Sequence, residues 1–205
     1  MRHKVILLVT MLMVAMTGST LAGQPAPERP HANRQFQAGF DLHAAIAAAH
    51  DGDVIEVPGG TYSGPIVIDK SIRLIGLDRP IVTGDSTGTV VTINAPDVTF
   101  EGFGVQGSGR EPDQNHSAIF ANNAARVVIR NNDVRESLFG IYLANSPDSV
   151  VDGNVIQGDT RLELGRRGDG LRIWESHNTT LSNNQVLNAR DVVLWYSTGL
   201  HVHDN

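Results

Sequence analysis

The sequence predicts an all-β solenoid, a single-stranded parallel β-helix closed at one end by a short helix, and three observations carry that prediction. The first is an internal repeat. From Ala118 onward the segments AIFANNAARVVIRNND, GIYLANSPDSVVDGNV, GLRIWESHNTTLSNNQV and DVVLWYSTGLHVHDN lie on one another column by column. Ile119, Ile141, Leu171 and Val192 share a column, as do Ala121, Leu143, Ile173 and Leu194, and Ile129, Val151, Leu181 and Val202. The second observation is the alternation inside each unit. Branched apolar residues alternate with polar ones, as strands with one buried face require, and no helical stripe runs through the region. The third is an asparagine column, Asn132, Asn154, Asn184 and Asn205, with successive spacings of 22, 30 and 21 residues. At a tight corner an inward amide can bond local backbone and the amide one coil away, which makes its burial affordable. Coils stacked at about 4.8 Å, the ordinary strand spacing, satisfy all three observations.

Composition narrows the function. Within 205 residues there is no cysteine, so neither disulfides nor thiol chemistry are available, and 21 glycines suit a fold with many corners. The formal charge of −6, without a basic run, argues against a nucleic-acid partner.

In chain order, Arg2, His3 and Lys4 precede an apolar stretch from Val5 to Met16, and Thr20-Leu21-Ala22 offers small residues for cleavage. Residues 1–22 are expected to be a cleaved signal peptide rather than an anchor, since the apolar stretch is short for a span. Cleavage takes the formal charge from −6 to −8 and removes all four methionines, Met1, Met11, Met13 and Met16. Residues 23–38, with Pro25, Pro27 and Pro30, read as a linker or arm, and residues 39–205 as the β-helix domain. Phe40 to His50 is the one helical stretch. Asp41 is placed to cap it, and Phe40, Ala44 or Ala45, Ala47 and Ala48 are expected to face the first coil. Strands are predicted at Val54–Val57, Ile66–Ile68, Ile72–Ile75, Val90–Ile93 and Val98–Phe100. Phe103 occupies the asparagine register, so the ladder is expected to begin at Asn132. Two excursions, SGREPDQNH from Ser108 and GDTRLELGRRGD from Gly158, break the period and are expected to project from corners. The sequence stops at Asn205 inside a coil, so further coils are expected beyond it, with self-association through an open end as the alternative.

Period-2 alternation turns several unusual residues outward. Trp174 and Trp195 are equivalent in consecutive coils, with Glu175 and Tyr196 in the next column, and together they can form a platform for a sugar ring or a partner's apolar patch. Packing beneath a loop is the alternative. His201 and His203 leave one strand on one face, half of a metal site for Cu(II) or Zn, or two solvated histidines. Without Cys or Met in the mature chain, a soft Cu(I) site contained within it is disfavoured. Asp152, Asp169, Glu175 and Asp191 are candidates for a polysaccharide groove, but no two can be set at a working separation from sequence. No catalytic residue is assigned.

GDGLRIWESHNTTLSNNQV, followed by NARDVVLWYSTGLHVHDN, resembles the NosD-type maturation proteins of bacterial nitrous oxide reductase. The opening GFDLHAAIAAAHDGDVIEVPGGTYSGPIVIDKSIRLIGLDRPIV resembles their first coils. The likeness runs over roughly residues 38–205, and RDVVLWYS with GDGLRIW is its most discriminating part. The resemblance implies a right-handed β-helix in the periplasm that docks on an ABC-type ATPase and permease pair. It implies a non-enzymatic role in assembling the reductase's copper–sulfide centre, with copper a transient passenger rather than a resident cofactor. It also implies a parent chain about twice as long. The competing readings are a lyase, hydrolase or epimerase acting on an anionic polysaccharide, and a glycan-binding module.

Overall fold

A seven-residue helix is the first element among the described residues. The computed structural model describes residues 39–205, and the expected signal peptide and arm lie outside the described residues. Helix α1 (Leu42–Ala48) is capped at its N-terminus by Asp41, whose carboxylate accepts from the Ala44 amide at 3.0 Å. Its C-terminal carbonyls are met by a cation from the first coil: Lys70 Nζ donates to Ile46 O at 3.0 Å and to Ala47 O at 2.8 Å. The buried face is Leu42, Ile46 and Ala49, with Phe40 and Ala45 partly buried beside it. Of the two alternatives Ala45 rather than Ala44 meets the core, while Ala47 and Ala48 face outward, contrary to the sequence expectation. The two largest apolar side chains of the helix, spaced i, i+4, take the core-facing stripe and turn those alanines to solvent.

Each coil then contributes three short strands. The first holds β1 (Val54–Val57), β2 (Thr61–Ser63) and β3 (Ile66–Ile68); the second holds β4 (Arg73–Gly76), β5 (Ile81–Thr83) and β6 (Val91–Ile93). The third holds β7 (Thr99–Glu101), β8 (Gly104–Gln106) and β9 (Ser117–Asn122); the fourth holds β10 (Val128–Arg130), β11 (Asp133–Ser137) and β12 (Phe139–Ala144). The fifth holds β13 (Val150–Asp152), β14 (Val155–Gly158) and β15 (Leu171–Trp174). The sixth holds β16 (Thr180–Ser182), β17 (Gln185–Leu187) and β18 (Val192–Trp195), and β19 (His201–His203) follows.

Every strand pairs in parallel with its equivalent one coil away, giving a first sheet of seven strands (β1 to β19 by threes) and a second and third of six each. The register produces unbroken interior columns. Ile55, Leu74, Phe100, Ile129, Val151, Leu181 and Val202 run down the first sheet. Ile66, Val91, Ile119, Ile141, Leu171 and Val192 run down the third. Burying each branched side chain contributes about 1.5–3 kcal/mol, so the stacked columns are the main source of cohesion. On the last coil Val192, Leu194 and Val202 are substantially exposed.

Corners between sheets use residues that tolerate left-handed backbone. Gly102, Asn131, Gly153, Asn183 and Asp204 all have positive φ, immediately before the second sheet's side of the coil. Asn, Asp and Gly reach that region at least cost, which explains their recurrence at a single repeat position.

Candidate functional site

Inside these corners runs an amide ladder. Asn154 Oδ1 accepts from the Asn132 amide and from Asn132 Nδ2, both at 3.0 Å, while Asn154 Nδ2 donates to Ile129 O at 3.0 Å. The same pattern links Asn154 to Asn184 and Asn184 to Asn205. Asn132 opens the ladder by accepting from the Phe103 amide, and Phe103 stacks on Phe100 at 4.4 Å. A second ladder, absent from the sequence expectations, lies at the corner leading into the first sheet. Ser176 Oγ accepts from the Ser146 amide at 2.9 Å and Ser197 Oγ from the Ser176 amide at 3.0 Å. Its signal was present: Ser146, Ser176 and Ser197 repeat at 30 and 21 residues, in step with the asparagines. Both ladders are structural, and they hold the outer surface in register.

The outward face of the third sheet carries the candidate site. In register across it lie Phe120, Tyr142 and Arg172, and beside them Asn122, Ala144, Trp174 and Trp195. Trp174 meets Trp195 edge-on, with centroids 5.8 Å apart, and Tyr196 at 4.7 Å. Trp195 is 52 % exposed and Tyr196 70 %. The three rings therefore form an edge-on cluster inclined at 71° and 63°, not a flat stacking platform. Glu175 is exposed in the corner column that Tyr196 continues one coil later. That column has positive φ at Asn123, Asn145, Glu175 and Tyr196. Two coils use asparagine there, the residue suited to it, and the next two place a glutamate and a tyrosine, which are strained in that region. Local backbone preference does not explain the glutamate and tyrosine at this corner.

At the other end of the third-sheet strands the two excursions are drawn down by buried carboxylates. Asp169, with its side chain 0 % exposed, bonds Arg172 through Nε at 2.7 Å and Nη2 at 2.6 Å, and Arg190 Nη2 at 2.8 Å. Arg172 lies over the Phe139 ring at 4.0 Å and the Tyr142 ring at 5.3 Å, and donates to Asn115 Oδ1 at 3.1 Å. Burial pushes the Tyr142 hydroxyl pKa up, with the Arg172 charge acting in the opposite direction. Asp159, with its side chain 4 % exposed, accepts from Arg161 at 2.8 Å and from Arg110 at 3.0 Å. The Arg161 hydrogen bond holds the Asp159 carboxyl below the usual carboxylate range, against the opposing effect of burial. A carboxylate with a lowered folded pKa stabilises above its unfolded pKa of about 3.9, and that contribution fades as pH falls through the folded value. The urea midpoint of the unsubstituted chain should therefore exceed that of Asp159→Asn at pH 7, and the gap should close below about pH 4. A gap independent of pH would contradict the assignment.

The remaining candidates are spread over other faces. His201 and His203 are both exposed on the outside of β19, and His203 Nδ1 lies 2.9 Å from Asp204 Oδ2. Among the described residues no three His, Cys, Asp or Glu side chains converge as a metal set. Asp152 sits on the first sheet's outer surface, where hydrogen bonds from Asn183 and Ser182 hold its pKa down. Asp169 is buried between arginines, Asp191 pairs with Arg190 at 2.8 Å, and Glu175 stands at a corner, so the four candidate acids do not share one groove.

Comparison with known proteins agrees with this architecture. Two proteins named "Probable ABC transporter binding protein NosD" are 32% identical to this chain: one from Pseudomonas aeruginosa over 133 residues and one from Stutzerimonas stutzeri over 136 residues. These alignments cover 64% and 66% of this chain and 31% of each relative, so the chain matches about a third of their length. Among solved structures, an alginate lyase from Paenibacillus sp. superposes with a TM-score of 0.64 at 14% identity, over 78% of this chain and 61% of that one, a likeness of fold. The family described as "right handed beta helix region" matches residues 64–205. With its three parallel sheets, its interior columns and this match, the chain belongs to the right-handed parallel β-helix family.

Proposed function

We propose that this chain is part of a NosD-like accessory protein that docks on an ABC-type ATPase and permease pair and serves assembly of the copper–sulfide centre of nitrous oxide reductase. The observation that carries the reading is the 32% identity to the two NosD proteins, whose name marks them as transporter-binding. The aromatic corner supports it as a docking surface. Trp and Tyr are the side chains most enriched at interface hot spots, and here they are held outward on a stiff sheet. The reading includes export to the periplasm with removal of residues 1–22, and copper as cargo in passage, with His201 and His203 as its candidate contacts. The role is that of an accessory, not a catalyst.

Deleting the full gene tests the reading. The expected result is an exported reductase that lacks copper and sulfide at its catalytic cluster and has lost its activity. A fully loaded, active reductase would overturn it. In the complemented strain, a Trp174→Ala/Trp195→Ala double variant should restore at least tenfold less reductase activity at equal protein level. Full restoration would remove the aromatic corner from the role. A second reading, a glycan-binding or polysaccharide-acting β-helix, draws on the exposed Trp195 ring, which can stack on a sugar. Binding of a defined oligosaccharide that is lost in Trp195→Ala, in a strain whose reductase is normal, would favour it.

A further inference from the structure

The aromatic corner carries a charge that the fold itself leaves unanswered. Glu175 is exposed, and its carboxylate makes no hydrogen bond or ion pair among the described residues. Between Asp133 and Asp204 every other acid except Glu163 meets a donor, from the exposed Asp133–Arg135 pair to the sealed Asp169 cluster. Glu175 also sits on strained backbone: its φ is 45°, and Tyr196, at the equivalent position one coil later, has a φ of 51°. The two preceding coils hold this position with Asn123 and Asn145, which tolerate left-handed backbone. Register sets Trp174 beside Trp195, so Glu175 and Tyr196 leave the same corner one strand spacing, about 4.8 Å, apart.

Three rings and an unpaired carboxylate at one corner narrow what can dock there. A sugar ring stacks best on a level face, and here Trp174 meets Trp195 at 71° and Tyr196 at 63°. An anionic sugar is also repelled by Glu175. A purely apolar partner would strip water from the carboxylate and give it nothing in return. A cation on an apolar stem answers both features. The exposed rings of Trp195 and Tyr196 attract it through their quadrupoles, and Glu175 supplies the counter-charge. A guanidinium suits the corner better than an ammonium, because it is planar, stacks on aromatic faces and can give a carboxylate two parallel hydrogen bonds. We infer that this corner receives an arginine side chain of a protein partner, stacked on Trp195 and Tyr196 and paired with Glu175. The inference rests on the proposed function, which makes that partner the ABC permease.

The test measures affinity between the full-length protein and the detergent-solubilised ATPase–permease pair of the same organism. Glu175→Gln, which keeps the shape and removes the charge, should weaken binding at least tenfold, and Glu175→Lys should weaken it further. Trp195→Leu and Tyr196→Leu keep an apolar side chain and remove the ring, and each should also weaken binding at least tenfold. Glu163→Gln removes the other unpaired carboxylate, on the second excursion, and should leave binding unchanged. Raising salt from about 50 mM to about 300 mM should weaken the unsubstituted protein more than Glu175→Gln. The substituted positions are all exposed, so the urea midpoints should match that of the unsubstituted protein. If the unsubstituted protein does not bind the pair, the proposed function fails, and this inference with it. If it binds and Glu175→Lys binds equally well, the inference alone is overturned. Loss in the Glu175 variants with none in the leucine variants would also overturn it, since a plain ion pair does not need the rings.

Discussion

Replacing Asn154 by alanine should lower the stability of the β-helix by about 3 kcal/mol or more, because the four buried hydrogen bonds made by its side chain are lost at once. The Asn132 amide and Asn132 Nδ2 both donate to Asn154 Oδ1, and Ile129 O accepts from Asn154 Nδ2. None of the three can turn to water, since Asn132, Ile129 and Asn154 are all buried. Each unsatisfied buried group costs about 1–3 kcal/mol, and the corner has no room for a replacement water without repacking. Neighbouring coils are coupled through the same ladder, so the loss should spread to the fourth and sixth coils as raised hydrogen exchange. The contrast is Asn123→Gly: Asn123 is exposed, its side-chain amide bonds only Asn122, and glycine tolerates its left-handed backbone, so the cost should stay below about 1 kcal/mol. Urea unfolding followed by Trp174 and Trp195 fluorescence compares the two. An Asn154→Ala midpoint equal to that of Asn123→Gly would mean that the ladder contributes no stability.

Asp169→Ala should be similarly damaging, by about 3–5 kcal/mol, the usual consequence of removing one partner from a buried ion pair. The carboxylate is sealed from solvent and is the counter-charge for Arg172, which is itself mostly buried between the Phe139 and Tyr142 rings. Without Asp169 the guanidinium either stays desolvated with only Asn115 for an acceptor or swings out and leaves a void over Phe139. Either way the excursion loses its second anchor. The comparison is Asp133→Ala, which removes an exposed pair with Arg135 and should cost at most about 1 kcal/mol. Salt separates the two further. The Asp133 pair is open to screening at physiological ionic strength, and the Asp169 cluster is largely protected from it. Equal urea midpoints for the two variants would show that the cluster is not an anchor.

What the sequence by itself determined is what repeats. A coil contacts only its neighbours, so a residue's surroundings depend on the same position one period away, and columns written on paper become columns in space. For that reason the interior columns, the Asn132 to Asn205 series, the Trp174–Trp195 adjacency and the two excursions could be located from spacing alone. The serine column could have been read in the same way, but serine is so ordinary at corners that its period drew no attention. Tertiary structure decided what does not repeat. The face of α1 was set by Leu42 and Ile46 seeking the first coil, in a stretch whose many alanines express no preference of their own. The rings of Trp174, Trp195 and Tyr196 share an address, but their mutual tilt is a matter of rotamer and packing that spacing does not encode. The union of Asp169 with Arg172 and Arg190, and of Asp159 with Arg110, joins charges from different coils and from both excursions. Spacing cannot predict such contacts, because an excursion leaves the lattice, and its path back to the surface is chosen by burial and charge.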